Sequence, residues 1–352
     1  MNTFGKMIIG TQFLKAIFLN KLLKKRTPTM VNLFVTNRCH LKCFYCYANV
    51  NRGIEDFTTK DIFHIIDELK KLGTVIVVLL GGEPLLRKDI GKIIDYVADK
   101  KMMCEVLTSG YKIAERISDL KKLDSICISI DGDEYHHDLN RGKGSYKTAI
   151  KALAIAISNN IQTRIHSTIT RNNLTSIDHV ANLSKKYNVK LNCALASAHT
   201  DDNALNFTNE EIRTFYIKLK KYKQKGYPIS NAYSTLDYLI KWPGSFSFIE
   251  EEADDSIQDV KLIPCKRKDF TCYVDTDGSL YPCATKWNKY HAVNIKKVGV
   301  KKSWDALVNL KCKSCITEVE VNMLFNANFK SLINVASYVF VDKIKNFKIN
   351  RN

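Results

Sequence analysis

The feature that most restricts the fold is a regular alternation of short apolar segments and amphipathic segments between residues 31 and 195. Thr74–Leu80 is an almost unbroken run of valine, isoleucine and leucine, which is typical of a strand buried on both faces of a parallel sheet. Thr59–Leu72 instead spaces its isoleucines and leucines three and four residues apart, which predicts a helix. The alternation therefore indicates an α/β protein.

Six strand–helix units are predicted in this part of the chain. Successive parallel units with right-handed crossovers build a closed or partly closed barrel. In such barrels the active site lies at the carboxyl ends of the strands. The predicted strands are Val31–Val35, Thr74–Leu80, Cys104–Leu107, Ser125–Ile130, Thr163–Ile169 and Val189–Leu195, and the predicted helices are Thr59–Leu72, Ile90–Ala98, Tyr146–Ser158 and Ile177–Tyr187.

Outside the barrel the composition changes, and we expect four further regions. The first is a basic, apolar N-terminal helix around Met7–Leu23, and another is a bridge that is helical around Asn209–Tyr222. The predicted division is 1–30 for the N-terminal helix, 31–205 for the barrel, 206–264 for the helical bridge, 265–316 for a small cysteine-rich module and 317–352 for an apolar, then basic, tail.

Charge and cysteine content narrow the functional classes. The 352 residues carry a formal net charge of +18, which suggests an anionic partner or simply a lysine-rich proteome. We find no apolar run long enough for a transmembrane helix and no convincing signal peptide. Eleven cysteines without an export signal point to a reducing cytoplasm, where clustered cysteines indicate metal binding or catalysis more often than disulfides.

The strongest motif is Cys39-x3-Cys43-x2-Cys46, in a loop directly after the first predicted strand. Three thiolates on one short loop hold three irons of a [4Fe–4S] cluster and leave the fourth iron without a protein ligand. An open coordination position is what a catalytic metal site needs. The alternatives are a zinc site that adds His40 to the three cysteines, and a loop that binds no metal.

This segment resembles the signature of the radical S-adenosylmethionine (radical SAM) superfamily, Cys-x3-Cys-x-aromatic-Cys after the first strand of a partial (β/α)6 barrel. Tyr45 fills the aromatic position, which in the family packs near the adenine of SAM. His40 stands where related subgroups usually have Asn. The resemblance implies a partial (β/α)6 TIM-like barrel and a [4Fe–4S] cluster that chelates SAM. It also implies reductive cleavage of SAM to a 5′-deoxyadenosyl radical, which abstracts hydrogen from a substrate.

Three further motifs follow in the order that the resemblance predicts. Gly81-Gly82-Glu83-Pro84 comes after the second strand and in the family meets the methionine ammonium, where glycines allow close approach and Glu83 supplies an acceptor. Thr108-Ser109-Gly110 follows the third strand and resembles the family's Thr-Asn-Gly. Ser129-Ile130-Asp131-Gly132 ends the fourth strand and is followed by His137–Gly142, where the resemblance implies that Ser129 contacts the ribose and that Arg141 holds a carboxylate in bidentate fashion. The alternatives are a plain strand-end turn at Gly81–Pro84, and a solvated loop for His136, His137 and Arg141. The resemblance names no catalytic residue, and the predicted cofactor-binding residues are Tyr45, Gly81, Gly82, Glu83, Ser109, Ser129 and Arg141.

Four more cysteines lie in the small module: Cys265, Cys283, Cys312 and Cys315. Asp275–Gly278 predicts a hairpin turn that folds Phe270–Val274 onto Ser279–Pro282. This resembles the SPASM and twitch extensions of radical SAM enzymes, and the cysteine count fits one auxiliary [4Fe–4S] cluster. Cys272 is a spare cysteine that could exchange roles with Cys265, and a structural zinc ribbon is the alternative to the cluster. Three cysteines in barrel strands are expected in the core: Cys104, Cys127 and Cys193.

The sequence thus predicts a radical SAM enzyme whose substrate is a peptide or a membrane-associated small molecule or lipid. A flavodoxin- or ferredoxin-like protein is the expected one-electron reductant. We expect a cytoplasmic protein, with peripheral contact at the inner membrane face left open by its basic, apolar termini. For the N-terminal helix, packing against its own domain is the favoured alternative, because lysines interrupt its apolar stripe. Nucleic acid is not expected as a partner. The alternative is a zinc-stabilised, basic nucleic-acid-binding protein without catalytic activity.

Overall fold

A computed structural model describes residues 3–48, 50–196, 205–242, 248–250, 261–287, 291–307, 312–316 and 319–326. Within these residues, six parallel strands follow one another in both chain order and space, as the alternation predicted. They are β1 (Met30–Thr36), β2 (Ile76–Gly81), β3 (Met103–Thr108), β4 (Ser125–Ser129), β5 (Thr163–Ile169) and β6 (Lys190–Leu195).

Helices cover the outer face of these strands. The helix between β1 and β2 shows how the sequence sets its limits: Thr58 and Asp61 form a reciprocal N-cap, and Gly73 ends the helix in the left-handed conformation. The helices of this part are α1 (Thr3–Leu23), α2 (Thr59–Leu72), α3 (Ile90–Asp99), α4 (Ile113–Arg116), α5 (Glu134–Arg141), α6 (Ser145–Ser158), α7 (Ile177–Tyr187), α8 (Asn209–Gln224) and α9 (Tyr233–Ile240).

The two faces of the barrel strands carry different side chains. On β1, Val31, Leu33 and Val35 join the main core beneath the helices, whereas Asn32 and Phe34 face the interior. The same period of two holds on β5, where Arg164 and His166 line the interior. The barrel interior is thus partly polar, and it encloses a cavity of about 480 Å³.

The C-terminal part adds short elements. A two-stranded antiparallel sheet joins β7 to β11, apart from the barrel sheet. The strands are β7 (Phe248–Glu250), β8 (Thr271–Val274), β9 (Ser279–Tyr281), β10 (Val293–Asn294) and β11 (Cys312–Cys315), and the helices are α10 (Arg267–Phe270), α11 (Ile295–Val298), α12 (Val300–Asp305) and α13 (Val319–Asn326).

The predicted hairpin is confirmed, but it is not separate from the barrel. β8 and β9 pair antiparallel across a turn in which Gly278 has φ +94°. β8 also pairs in parallel with β1, so that one sheet runs β10-β9-β8-β1-β2-β3-β4-β5-β6. The hairpin of the predicted cysteine-rich module therefore extends the barrel sheet, because β8 hydrogen-bonds to β1.

α1 packs on the rest of the protein through one face. Ala16 and Ile17 are buried against Phe270 and against Phe325 of α13. Of the helices described, none combines the length and the apolar character needed to cross a lipid bilayer. The acidic stretch at 251–255 and most of the tail predicted for 317–352 lie outside the described residues.

Candidate active site

The cysteine loop joins β1 to α2 at the carboxyl ends of the barrel strands. Cys39, Cys43 and Cys46 all line the cavity. The loop is held at its base, because Asp56 accepts hydrogen bonds from the Thr36 hydroxyl at 2.5 Å and from the Asn37 backbone N–H at 2.7 Å. These contacts fix the start of the loop, so the three thiols are presented from a defined position.

The loop is also held by Asn51, whose amide exchanges two hydrogen bonds with the backbone of Cys39, at 2.9 and 3.0 Å. Burial raises the pKa of the Cys39 thiol to about 12.

The His40 ring stacks on Tyr111 with 4.0 Å between ring centroids. Among the described residues, no three His, Cys, Asp or Glu side chains are grouped closely enough to hold a single metal ion.

Gly81 and Gly82 meet the cysteine loop itself. A Cβ atom on Gly81 would lie 2.4 Å from the Thr36 carbonyl oxygen, and one on Gly82 would lie 2.2 Å from the Arg38 carbonyl oxygen. The Gly82 N–H donates to the Thr36 carbonyl at 2.7 Å, and the Glu83 N–H donates to the Arg38 carbonyl at 2.8 Å. The motif was expected to bring backbone close to a ligand; in the structure the close approach is to the loop that carries the cysteines.

Glu83 is 1% exposed and its carboxylate is fully engaged inside the protein. It accepts from the Thr108 hydroxyl at 2.6 Å, from the Ser109 hydroxyl at 2.5 Å and from the Ser109 N–H at 2.9 Å. Burial raises the pKa of this carboxyl against the effect of these hydrogen bonds. Glu83 and Ser109, which were predicted as separate cofactor contacts, are therefore bonded to each other at the cavity wall.

Asp131, at the end of β4, is the central side chain of the opposite wall. Its carboxylate is fully buried and accepts both Nε and Nη2 of Arg141, at 2.7 and 3.0 Å. It also accepts the Tyr45 hydroxyl at 2.6 Å and the Thr168 N–H at 3.0 Å. Burial opposes ionisation, but the charge of Arg141 holds the pKa of this carboxyl below its ordinary value.

Arg141 holds a carboxylate in bidentate fashion, as predicted, and the carboxylate is that of the protein's own Asp131. The solvated-loop alternative is wrong for Arg141 and for His137, which are both buried. The Nδ1 of His137 accepts the Asp131 backbone N–H at 3.1 Å. Burial and the charge of Arg141 lower the pKa of His137 to about 4, so the ring is neutral near pH 7. His136 instead pairs with the half-exposed Asp133.

Tyr45 links the cysteine loop to this wall. Besides its bond to Asp131, its ring lies 5.5 Å from the guanidinium of Arg141. Both residues line the cavity, as does Ser129, which the sequence also assigned to cofactor binding. The structure thus places the seven predicted cofactor-binding residues on one cavity wall, and it joins Tyr45 and Arg141 through Asp131, a motif residue that had no predicted role.

A further polar group inside the barrel is not indicated by any of the sequence motifs. Arg164 of β5 forms a bidentate ion pair with Glu105 of β3, with Nε–Oε2 at 2.8 Å. Asn32 is mostly buried, and its Nδ2 has no hydrogen-bond partner. Each of these residues occupies an interior-facing strand position, which the strand alternation alone would have revealed. The polar or charged interior residues missed are Asn32, Glu105, Arg164, His166 and Asn192.

An aromatic cluster joins the cysteine loop to the hairpin. Trp287 lies 5.5 Å from Tyr47, 4.7 Å from Phe34 and 4.6 Å from Tyr281, as measured between ring centroids. Arg52, on the same loop, donates to the buried Asp275 at the hairpin turn at 2.7 Å. The loop therefore rests on the hairpin as well as on the barrel.

The second set of cysteines lies in the C-terminal part. The Cys265 N–H donates to the Lys313 carbonyl at 2.9 Å, which places Cys265 beside β11, the strand of Cys312 and Cys315. Cys283 follows β9, and its sulfur lies 3.0 Å from the Thr285 hydroxyl. Cys272 is fully buried on β8 in the main core, so the structure gives no support to its exchange with Cys265.

The three cysteines predicted as core residues are all buried: Cys104, Cys127 and Cys193. The last of them also reaches the cavity wall. For the first cluster, the donors present fit the group implied by the motif, since thiol sulfurs are the protein ligands of [4Fe–4S] clusters and three of them face the same cavity.

Residues 33–184 match the family model of the Radical SAM superfamily, so the chain contains a radical SAM domain. The prediction of this enzyme class is confirmed at the level of that domain, and the zinc-stabilised nucleic-acid binder is not favoured. By sequence, the chain is similar to Fe-coproporphyrin III synthase of Methanosarcina barkeri, with 27% identity over 220 residues that cover 58% of this chain and 55% of that protein.

The chain is also 30% identical to mycofactocin maturase MftC of Mycobacterium tuberculosis over 171 residues, 47% of this chain and 44% of that one. It thus spans about half the length of these curated relatives. Among solved structures, Streptococcus suis SuiB bound to its precursor peptide SuiA superposes with a TM-score of 0.64 at 17% identity. That match covers 82% of this chain and 67% of SuiB and supports the partial-barrel fold.

Proposed function

We propose that the protein is a radical SAM enzyme that abstracts hydrogen from a peptide substrate. The observation that carries the proposal is the cavity, whose rim holds Cys39, Cys43 and Cys46 beside the Gly81–Glu83 junction. When bound, a [4Fe–4S] cluster supplies one electron that cleaves the C5′–S bond of SAM. The volume of about 480 Å³ suits SAM together with a small part of a substrate.

The residues of this chain then divide into ligands and positioning groups. Cys39, Cys43 and Cys46 would hold the cluster. Gly81 and Gly82 fix the loop that carries these cysteines, because a Cβ at either position would collide with its backbone. Of the predicted SAM contacts, Ser129 and the Tyr45 ring keep this role in the proposal.

Glu83 and Asp131 act as positioning residues in this proposal. The carboxylate of Glu83 orients Ser109 at the end of β3, and that of Asp131 orients Tyr45 and Arg141. Both carboxylates are buried and multiply hydrogen-bonded, so the walls that face SAM are held before it binds.

The polar interior supports a peptide substrate. Asn32 offers a buried amide donor without a partner, and Asn231 offers a buried amide oxygen without a partner, both at the cavity wall. A peptide group carries one acceptor and one donor and so matches such a pair. The charges of Glu105 and Arg164 compensate each other, which suits a neutral ligand. MftC is by its name a maturase, and SuiB binds a precursor peptide.

We also propose that Cys265, Cys283, Cys312 and Cys315 hold one auxiliary [4Fe–4S] cluster, and that a flavodoxin- or ferredoxin-like protein is the reductant. The backbone bond between Cys265 and Lys313 supports the grouping of three of these cysteines. A second candidate substrate is a membrane-associated small molecule. The observation in its favour is the set of exposed apolar side chains on α1.

The central test is anaerobic reconstitution with iron and sulfide, followed by SAM and dithionite, with 5′-deoxyadenosine measured by chromatography. The wild type should carry about eight irons and form 5′-deoxyadenosine. Cys43→Ala should abolish the product, whereas the matched variant Cys104→Ala, in the main core, should retain it. Cys283→Ala should lose about half of the iron. Iron-free wild type, zinc in place of iron, or full activity in Cys43→Ala would overturn the proposal.

The substrate class is tested with the same reconstituted protein. We expect a pool of cellular peptides to accelerate 5′-deoxyadenosine formation, and protease digestion of the pool to single residues to remove that acceleration. A lipid extract is the comparison arm. Acceleration by the lipid extract alone would exclude the peptide and favour the membrane-associated substrate.

A further inference from the structure

The end of α1 presents apolar side chains to solvent. Phe18 is 42% exposed, Leu22 is 63% exposed and Leu23 is 69% exposed. Phe18 and Leu22 are one helical turn apart, Lys15 lies one turn before Phe18, and Lys25 follows just beyond the end of the helix at Leu23. We define this set of five residues as the α1 face. Three large apolar side chains are thus exposed within six residues, whereas exposed leucines on an ordinary surface are scattered singly.

The helix that carries the α1 face is held firmly on its opposite side. Ile17 is fully buried against Phe270 and Phe325. Just beyond the helix, Arg26 donates to the backbone carbonyls of Lys268 and Trp304 at 2.7–3.0 Å and lies 4.5 Å from the Trp304 ring. The α1 face is therefore displayed by a fixed helix, and its apolar residues cannot turn inward without breaking these contacts.

The charge around the α1 face has one sign. The sequence has no acidic residue before Glu55, whereas lysines are frequent from Lys15 to Lys25. Lys15, Lys24 and Lys25 are exposed. Two carboxylates of neighbouring elements are already paired with lysines: Asp269 with Lys266, and Asp305 with Lys301. The surface thus combines exposed apolar groups with uncompensated positive charge.

We propose that the α1 face docks on an anionic lipid bilayer. An interfacial helix inserts bulky apolar side chains among the acyl chains while neighbouring lysines contact anionic headgroups, and the α1 face supplies both. A polyanion such as nucleic acid would use the lysines but would leave Phe18, Leu22 and Leu23 in water. The inference goes beyond the proposed chemistry and does not depend on it.

The test is sedimentation of the full-length, reconstituted protein with vesicles. One set contains phosphatidylglycerol and phosphatidylcholine in equal parts, and the other contains phosphatidylcholine alone. We expect binding to the anionic vesicles and weak binding to the neutral ones. Lys15→Gln/Lys24→Gln/Lys25→Gln should lower the affinity for anionic vesicles by about fivefold per lysine. Leu22→Gln/Leu23→Gln should lower it at least about tenfold.

Tyr135→Gln/Leu139→Gln is the matched control, since these two exposed apolar residues lie one turn apart on α5, and it should bind vesicles like the wild type. Circular dichroism checks that each variant is folded. Equal binding to both vesicle types overturns the proposal, as does wild-type binding by the leucine variant. Loss in the lysine variant alone would show that charge alone holds the protein on the headgroups, and it would overturn the insertion of the apolar side chains. Cleavage of SAM is measured separately, so failure here is distinguishable from failure of the proposed function.

Discussion

Asp131→Asn is the sharpest test of how the cavity wall is built. The substitution keeps the shape of the side chain but removes its charge. The new amide group also replaces one acceptor oxygen with an NH2 donor. Because Arg141, Tyr45 and Thr168 all donate to this position, the new donor would face another donor. The fully buried environment leaves no water to replace the lost interactions.

The size of the effect follows from the buried ion pair. Removal of one partner leaves Arg141, which is only 8% exposed, without its counterion. Such losses cost about 3–5 kcal/mol in the free energy of unfolding. For a chain of 352 residues, an unfolding entropy of about 2.1 cal/mol/K per residue converts 1 kcal/mol into about 1.4 °C of Tm. We therefore expect Tm to fall by about 4–7 °C.

The assay is thermal unfolding under anaerobic conditions, followed by circular dichroism. Asp133→Asn is the matched control, because it makes the same change two residues away, at a half-exposed helix N-cap where Asn is equally suitable. Its Tm should change by less than about 1.4 °C, since exposed ion pairs contribute about 1 kcal/mol or less.

The double variant Asp131→Asn/Arg141→Gln adds a stricter criterion. It leaves no buried, unpaired cation, so it should recover part of the stability that Asp131→Asn loses. If Asp131→Asn melts with the wild type, or if the double variant loses the sum of the two single effects, the ion pair does not hold the wall as argued here.

Three further predictions use the same unfolding assay. Gly82→Ala should lower Tm and reduce iron loading, because its Cβ would lie 2.2 Å from a backbone carbonyl of the cysteine loop. Gly91→Ala would instead meet the Asp119 side chain, at 2.8 Å from Oδ1 and 3.0 Å from Cβ, so it should lower Tm less and leave iron loading unchanged. Equal behaviour of the two variants would contradict this prediction. The pKa of His137 falls from 6.5 to about 4 on folding, so the unfolded chain takes up the proton first and the free energy of unfolding decreases as pH falls from 6.5 towards 4. His137→Gln has no such proton to take up, so its Tm should fall less than that of the wild type over the same pH interval. An unchanged pH profile of Tm in this variant would argue against the prediction. Arg52→Gln should cost about 1.5–3 kcal/mol, because it leaves the buried Asp275 without its charged donor, and a wild-type Tm would refute that link.

Much of the barrel was predictable because its signals are local. The strand Thr163–Ile169 and the helices Thr59–Leu72 and Ile177–Tyr187 are found where the pattern of apolar residues placed them. The turn Asp275–Gly278 was equally predictable, because a glycine at its end is a local signal for the left-handed conformation that Gly278 adopts. Boundaries elsewhere differ by a few residues, as for α1, which begins at Thr3.

The partners of the site residues were not predictable in the same way. The motif around Arg141 indicated a carboxylate partner, but only the packing of α5 on β4 showed that Asp131 supplies it. Glu83 likewise meets Thr108 and Ser109 because β2 and β3 end side by side. Contacts between residues far apart in the chain depend on register and helix placement, which no local pattern encodes.

By itself, the sequence determined the elements, the cysteine loop and the class of chemistry, because each is carried by residue spacing over a few turns or strands. The tertiary structure alone decided that the hairpin extends the barrel sheet through β8, that the carboxylates of Glu83 and Asp131 are buried among hydrogen-bond donors, and that the barrel interior is partly polar. The physical reason is that burial and pairing are properties of surfaces brought together by the whole fold. The sequence shows the same Asp or Glu whether the carboxylate is exposed in an open loop or enclosed by four hydrogen-bond donors.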